Sequence, residues 1–199
     1  MPIELWTARL ERPLRENERE TMLTMLPPAR RERLLQSPLE KQQEPLCAYF
    51  LLCLALWKHQ RWRELPEIAA SRFGKPYFPE HPDVHFNLSH TKGAVLVGVS
   101  DEPLGVDIER VRPVGQRMME RFFHAETEQA FFESWVCWEA RSKCSGRGIG
   151  SMREAPLQAG EHYYALDAFP GYAAGVAAHS AEPLGMLHRY SLDNIQGAL

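Results

Sequence analysis

Apolar residues fall at nearly alternate positions from Ile3 to Leu10, behind a proline, and this period of two predicts a strand. Beyond Pro13 the pattern lengthens. RENERETMLTML reads as a surface helix, and PARRERLLQS as a second short one opened by Pro28. The longest apolar run, Leu46 to Trp57, has twelve residues and predicts a third, buried helix, with Pro45 just ahead of it where a first turn tolerates proline. SRFGKPYFPEHPD is rich in turn formers and predicts an exposed loop. Three strands follow closely: Val84 to Leu88, Ala94 to Ser100 and Pro103 to Glu109, the first two joined through Thr91-Lys92-Gly93 as a hairpin. Helical spacing returns from Glu126 to Cys144 and stops at Gly146 and Gly148. Tyr163 to Phe169, Tyr172 to Ala178 and Leu187 to Leu192 read as three more strands. Helices and strands come in groups instead of alternating singly, which predicts an α+β fold.

A faint internal repeat refines that class. GAVLVGVSDEPLGV (Gly93 to Val106) resembles GYAAGVAAHSAEPLGM (Gly171 to Met186) with a two-residue insertion. Each gives a strand, a turn containing Glu-Pro-Leu-Gly, and another strand; the turns are Glu102-Pro103-Leu104-Gly105 and Glu182-Pro183-Leu184-Gly185. Four shared letters describe two unrelated hairpins equally well, but the shared context points to two similar halves, residues 1–100 and 101–199, packed face to face. A ligand site at their junction is the natural corollary.

Composition narrows the class further. The chain has 199 residues, 44% apolar and 25% charged, which suits one large domain or two small ones and excludes a disordered or fibrous chain. A net charge of −3 gives no general attraction for nucleic acid. The twelve-residue apolar run falls short of the ~20 residues a membrane span needs. MPIELWTARLERPL lacks the basic region and apolar stretch of a secretion signal, so the expected compartment is the cytoplasm. Cys47 and Cys53, and Cys137 and Cys144, lack zinc-ligand spacing and are expected to be free buried thiols.

Five short stretches can carry chemistry. In PLGVDIERVRP, Asp107 and Glu109 share one face of a strand while Val106 and Ile108 take the other, and alternation sends Arg110 and Arg112 away from the acids. Two carboxylates on one face repel, and a hard divalent cation such as Mg²⁺ would relieve them; an exposed acidic edge is the plainer alternative. In WVCWEARSKCSGRG, Glu139 and Lys143 stand four apart on one helix face, either as a surface salt bridge or as a third carboxylate and a cation facing the first two. Trp135 and Trp138 on adjoining faces read as core. FNLSH offers Ser89 and His90 to an anion, or caps a hairpin. GKP holds Lys75 on a restricted backbone, and ARRER places Arg30 and Arg33 on one helix face, able to grip a phosphate or simply solvated.

Taken in this order, GKPYF, FNLSH, PLGVDIERVRP, the following RFF, and W-x-x-x-E-A-x-x-K from Trp135 to Lys143 resemble the 4′-phosphopantetheinyl transferases, specifically the monomeric surfactin-synthetase-activating type. RPL near the start and GYAAGVAAHS near the end extend the resemblance over nearly the whole chain. The resemblance implies a pseudo-dimer of two α+β halves with coenzyme A in the cleft. It implies transfer of 4′-phosphopantetheine from coenzyme A to a serine of an apo acyl or peptidyl carrier protein, with release of 3′,5′-ADP. Asp107, Glu109 and Glu139 would then hold Mg²⁺, with Mn²⁺ the alternative. Lys143 would neutralise a phosphate oxygen, Ser89 and His90 would contact the phosphates, Lys75 would lie along the nucleotide, and Arg30 and Arg33 would approach its 3′-phosphate. Glu139 would be the base for the serine hydroxyl, with Asp107 and Lys143 completing the catalytic set. The family's W-x-x-K-E helix motif has Trp138 here in place of its lysine. The arginine the family carries early in the long helix is absent as well, Lys41 being the one lysine or arginine between Arg33 and Lys58. The alternative is a non-catalytic relative that binds coenzyme A or a carrier protein without transfer.

Overall fold

The computed structural model describes residues 3–60, 62, 64–146, 157, 159–179 and 184–195. Its elements are β1 (Glu4–Arg9), α1 (Glu16–Thr24), α2 (Pro28–Leu35), a 3₁₀ turn (Leu39–Lys41), α3 (Gln43–Gln60), β2 (Ala69–Ala70), β3 (Pro76–Tyr77), β4 (His85–Thr91), β5 (Ala94–Ser100), β6 (Leu104–Arg110), α4 (Gln116–Phe123), α5 (Glu128–Ser145), β7 (His162–Leu166), β8 (Tyr172–Ala178), β9 (Leu187–Ser191) and α6 (Leu192–Ile195). The α+β class read from the sequence holds.

Two sheets are stacked between two long helices. The first has the order β4-β5-β1-β9 and the second β6-β8-β7. β5 explains the stacking, because its side chains are buried on both faces. Val95, Val97 and Val99 meet the apolar length of α3, while Ala94 and Leu96 meet Leu104, Val106 and Ile108 of the second sheet. A strand with water on one side would have needed polar alternation. The other face of the second sheet receives α5, through Ala140 and Cys144 against Ala177, and through Phe131, Phe132 and Val136 near Ala173.

Each of the two similar segments sends one strand to each sheet. β5 lies in the first sheet and its successor β6 in the second; β8 lies in the second and its successor β9 in the first, parallel to β1. Neither segment is a hairpin. Glu182 and Pro183 of the second shared turn lie outside the described residues, as does Gly148 of the proposed helix stop. Gly146 takes the left-handed conformation (φ 66°) that ends α5, and Thr127 caps its start by accepting from Ala130 N at 3.2 Å.

Two segments depart from expectation. Residues 69–77 hold a small antiparallel hairpin, β2 with β3, and Phe78 just after it is only 1% exposed, its ring 4.4 Å from that of Phe86. Strands of two residues leave no periodicity to read, and burial here comes from tertiary contact alone. α4 has no side-chain cap at Gly115 and no sequence start signal. Its Phe122 and Phe123 are held instead by Trp135 and Phe131 of α5.

α5 lies closely on β6. A Cβ on Gly105 would stand 2.1 Å from Ala140 O and 2.3 Å from Cys144 N, both backbone atoms that cannot swing aside. The bare α-carbon lets the helix approach. Arg141 reaches the opposite way from the acidic strand, donating to Glu161 Oε1 at 2.7 Å in a buried pair that ties α5 to the start of β7. Arg12 grips Glu18 through two 2.7 Å bonds and also reaches Asp193 at 2.8 Å, joining the segment after β1 to α1 and α6. The thiols of Cys47 and Cys53 are buried, which pushes each up to about 12.

Two outcomes follow. Gly105→Ala forces α5 off β6 and should lower stability by about 1–3 kcal/mol or more, read from the urea midpoint. Hydrogen bonding from Arg12 holds the Glu18 carboxyl down to about 2, so its stabilisation is complete above the ordinary value of 4.5 and drains away as the pH falls towards 2. The urea midpoint should therefore drop between about pH 5 and about pH 3, and drop less in Glu18→Gln.

Candidate active site

The acids of β6 share a face as the alternation requires. Val106 and Ile108 enter the core between the sheets, while Asp107 and Glu109 project towards α5. β6 is an edge strand, and its neighbour β4 is the edge of the other sheet. The outward N–H groups of β6 are met by side chains. Val106 N donates to Asn87 Oδ1 at 2.9 Å, Ile108 N to Ser89 Oγ at 3.3 Å and Arg110 N to Thr91 Oγ1 at 3.5 Å. The sequence reading passes over Asn87 and Thr91, although polar side chains at alternate positions of FNLSHT are the signal that marks them.

The same hydroxyls touch the acids. Ser89 Oγ donates to Asp107 Oδ1 at 2.7 Å, and Thr91 Oγ1 donates to Glu109 Oε2 at 3.2 Å. From α5, Lys143 Nζ donates to Asp107 Oδ1 at 2.5 Å and to Ser89 Oγ at 3.1 Å, and stands 3.4 Å from Glu139 Oε2. Glu139 Oε1 accepts from Trp135 Nε1 at 3.0 Å. Asp107, Glu139, Lys143 and Ser89 thus meet as one cluster, with Glu109 two residues along β6 held by Thr91 and Arg112. Burial, and next the charge of Asp107, hold the Glu139 carboxyl above the usual carboxylate range. Arg112 corrects the alternation argument: β6 has ended by that point, and its Nη1 donates to Glu109 Oε2 at 3.0 Å.

Among the described residues, no three acidic, histidine or cysteine side chains close into a ready-made metal cage. The donors nevertheless suit a hard divalent cation. Asp107 is 2% exposed, and its Oδ2 is buried with no hydrogen-bond partner. Mg²⁺ commonly takes only one or two protein carboxylates and completes its shell with water and phosphate oxygens.

The remaining candidates fall at different distances from this centre. A cleft of about 260 Å³ is lined by Phe73, Lys75, Asn87, Leu88 and Lys143, between the β2–β3 hairpin, β4 and α5. Lys75 donates to Leu104 O at 2.9 Å and Cys144 O at 3.1 Å, so its ammonium ties the hairpin to β6 and the last turn of α5, and burial lowers its pKa. Ser89 is buried with its hydrogen and both lone pairs engaged, by Asp107, Lys143 and Ile108. His90 stands at the end of β4, where desolvation lowers its pKa, with Glu44, Lys143 and Asp107 as the nearby charges. Arg30 lies 5.4 Å over the Tyr49 ring and Arg33 is exposed; no described hydrogen bond or ion pair brings either to the acids. Trp138 is buried against Trp135 and Phe123, with its indole N–H unpartnered.

Comparison with known proteins places this cluster in context. No family model matches the chain. The 4′-phosphopantetheinyl transferase Sfp of Bacillus subtilis (strain 168) is 25% identical over 162 residues, covering 74% of this chain and 72% of that protein. A 4′-phosphopantetheinyl transferase of Bacillus pumilus is 39% identical over 88 residues, 38% of each chain. The 4′-phosphopantetheinyl transferase gsp of Aneurinibacillus migulanus is 34% identical over 91 residues, 40% of this chain and 38% of that one.

Charge balance in the cluster is directly testable. Lys143→Met leaves the buried Asp107 carboxylate without its cation and should lower stability by about 2 kcal/mol. Adding Asp107→Asn removes the stranded charge and should restore part of that loss, read from urea unfolding of the single and double variants.

Proposed function

Because the chain belongs to the 4′-phosphopantetheinyl transferase superfamily, in its Sfp-type subgroup, we propose that it moves 4′-phosphopantetheine from coenzyme A to a serine of an apo acyl or peptidyl carrier protein and releases 3′,5′-ADP. The observation that carries this reading is the meeting of Asp107 and Glu139 on Lys143, which also lines a cleft of about 260 Å³. The two α+β halves, residues 1–100 and 101–199, and a monomeric, cytoplasmic protein belong to the same reading.

Asp107, Glu109 and Glu139 would hold Mg²⁺, or Mn²⁺ in its place, which when bound supplies Lewis-acid neutralisation of the pyrophosphate. The residues of the chain do the rest. Lys143 presents its ammonium beside Asp107 and Glu139, where it neutralises a phosphate oxygen of coenzyme A. Glu139 Oε2 takes the hydroxyl proton of the carrier serine. The serine oxygen bonds to the β-phosphorus as the bond to the 3′,5′-ADP oxygen breaks. Positioning and charge neutralisation supply most of the catalysis in such a transfer. Trp135 fixes Glu139 by donating to its other oxygen. His90, on the rim of β4, would meet the phosphates, and Lys75, in the cleft wall, would lie along the nucleotide. Arg30 and Arg33 would meet the 3′-phosphate. Arg141 does not stand in for the basic group replaced by Trp138, because it is paired with Glu161.

The test is intact mass of an apo carrier protein after incubation with this protein, coenzyme A and Mg²⁺, with Glu139→Gln and Asp107→Ala in parallel. A gain of one phosphopantetheine with the natural sequence, lost in both folded variants, is the expected outcome. Coenzyme A binding with no gain on fatty-acid, polyketide and peptide-synthetase carriers would overturn it in favour of a non-catalytic relative.

A further inference from the structure

Ser89 and Thr91 stand two apart on β4, and Asp107 and Glu109 stand two apart on β6. The hydroxyls bond the acids in a constant register, Ser89 with Asp107 and Thr91 with Glu109, each across 18 residues of chain. In both pairs the bond goes to one oxygen of the carboxylate, and a cationic side chain joins it there: Lys143 on Asp107 Oδ1, Arg112 on Glu109 Oε2. The second oxygens are left over. Asp107 Oδ2 is buried without a partner, and among the described residues no hydrogen bond is made to Glu109 Oε1. A buried carboxylate oxygen with no donor is unfavourable, and its persistence beside so many available donors marks a place where something else binds.

We propose that Ser89 and Thr91 are a matched pair of hydroxyl clamps, each tying one oxygen of the acid opposite so that the other oxygen of Asp107 and of Glu109 is presented to a divalent cation. This deepens the transferase reading and rests on it. Both are positioning residues. A carboxylate with one oxygen fixed cannot rotate its free oxygen away, and partners behind metal-binding carboxylates matter for this reason. The clamp also fills the Ser89 hydroxyl completely, which leaves contact with the phosphates of coenzyme A to His90.

Thr91 gives the cleaner test, because it lies at the strand end and an isosteric change removes only the hydroxyl. Mg²⁺ is titrated calorimetrically into the full chain in the presence of coenzyme A, and carrier modification is followed against Mg²⁺ concentration, for the natural sequence, Thr91→Val and Thr91→Ser. Thr91→Val should bind Mg²⁺ about 10-fold more weakly and need about 10-fold more for half-maximal transfer. Its turnover at saturating Mg²⁺ should stay within about 2-fold, and its melting temperature should fall by no more than about 4 °C, the shift expected for the hydrogen bonds lost at the strand end. Thr91→Ser, which keeps the hydroxyl, should behave as the natural sequence. An active natural protein whose Thr91→Val variant binds Mg²⁺ unchanged overturns the clamp alone, as does a Thr91→Ser variant as weak as Thr91→Val. A natural protein with neither transfer nor Mg²⁺ binding overturns the transferase reading and the clamp together.

Discussion

β4 and β6 run side by side as edges of two different sheets, and what joins them is a ladder of side chains, Asn87, Ser89 and Thr91 meeting the N–H groups of Val106, Ile108 and Arg110. An ordinary backbone ladder would have merged the sheets and used up both edges. A side-chain ladder keeps the strands slightly apart, satisfies the outward N–H groups that an edge must otherwise leave to water, and places hydroxyls level with the acids. The cluster inherits its geometry from that seam. Without it, β6 would have no fixed height relative to β4, and the Ser89–Asp107 and Thr91–Glu109 pairs would have no register.

The second constraint is close approach. Gly105 allows α5 to settle on β6 at backbone contact, and only then can Glu139 and Lys143, one helical turn apart, face Asp107. The charge problem is solved locally. Three carboxylates gathered in one place are unfavourable, and Lys143 between Asp107 and Glu139, with Arg112 on Glu109, offsets part of that repulsion. Phe122 and Phe123 pack against Phe131 and Trp135 of α5, and Trp135 links that aromatic group to Glu139 through its indole N–H.

Much of the site is legible in the amino-acid sequence. Alternation alone puts Asp107 and Glu109 on one face with Val106 and Ile108 on the other, because the period of a strand is a local geometric fact. Spacing of four puts Glu139 and Lys143 together for the same reason. The strand limits at Ala94–Ser100 and Tyr172–Ala178 agree with the apolar runs, whose burial on both faces requires continuous hydrophobicity. Short motifs pick out Lys75 and Ser89 as site residues, yet what their polar atoms touch depends on packing. Lys75 reaches carbonyls on β6 and α5, 29 and 69 residues along the chain, and no local pattern encodes such a meeting.

The sequence by itself determined the α+β class, the long buried helix, the two acids on one strand face and the acid–base pair on one helix face, since each follows from a period of two or of 3.6 within a few residues. The tertiary structure alone decided that these two faces meet, that Arg112 turns back to Glu109 once β6 has ended, that Arg141 pairs with Glu161, and that Phe78 is buried. It also decided which carboxylate oxygens are tied and which stay bare. Those outcomes depend on how closely two sheets and a helix approach across the fold, and that distance is set by long-range packing that no window of the chain contains.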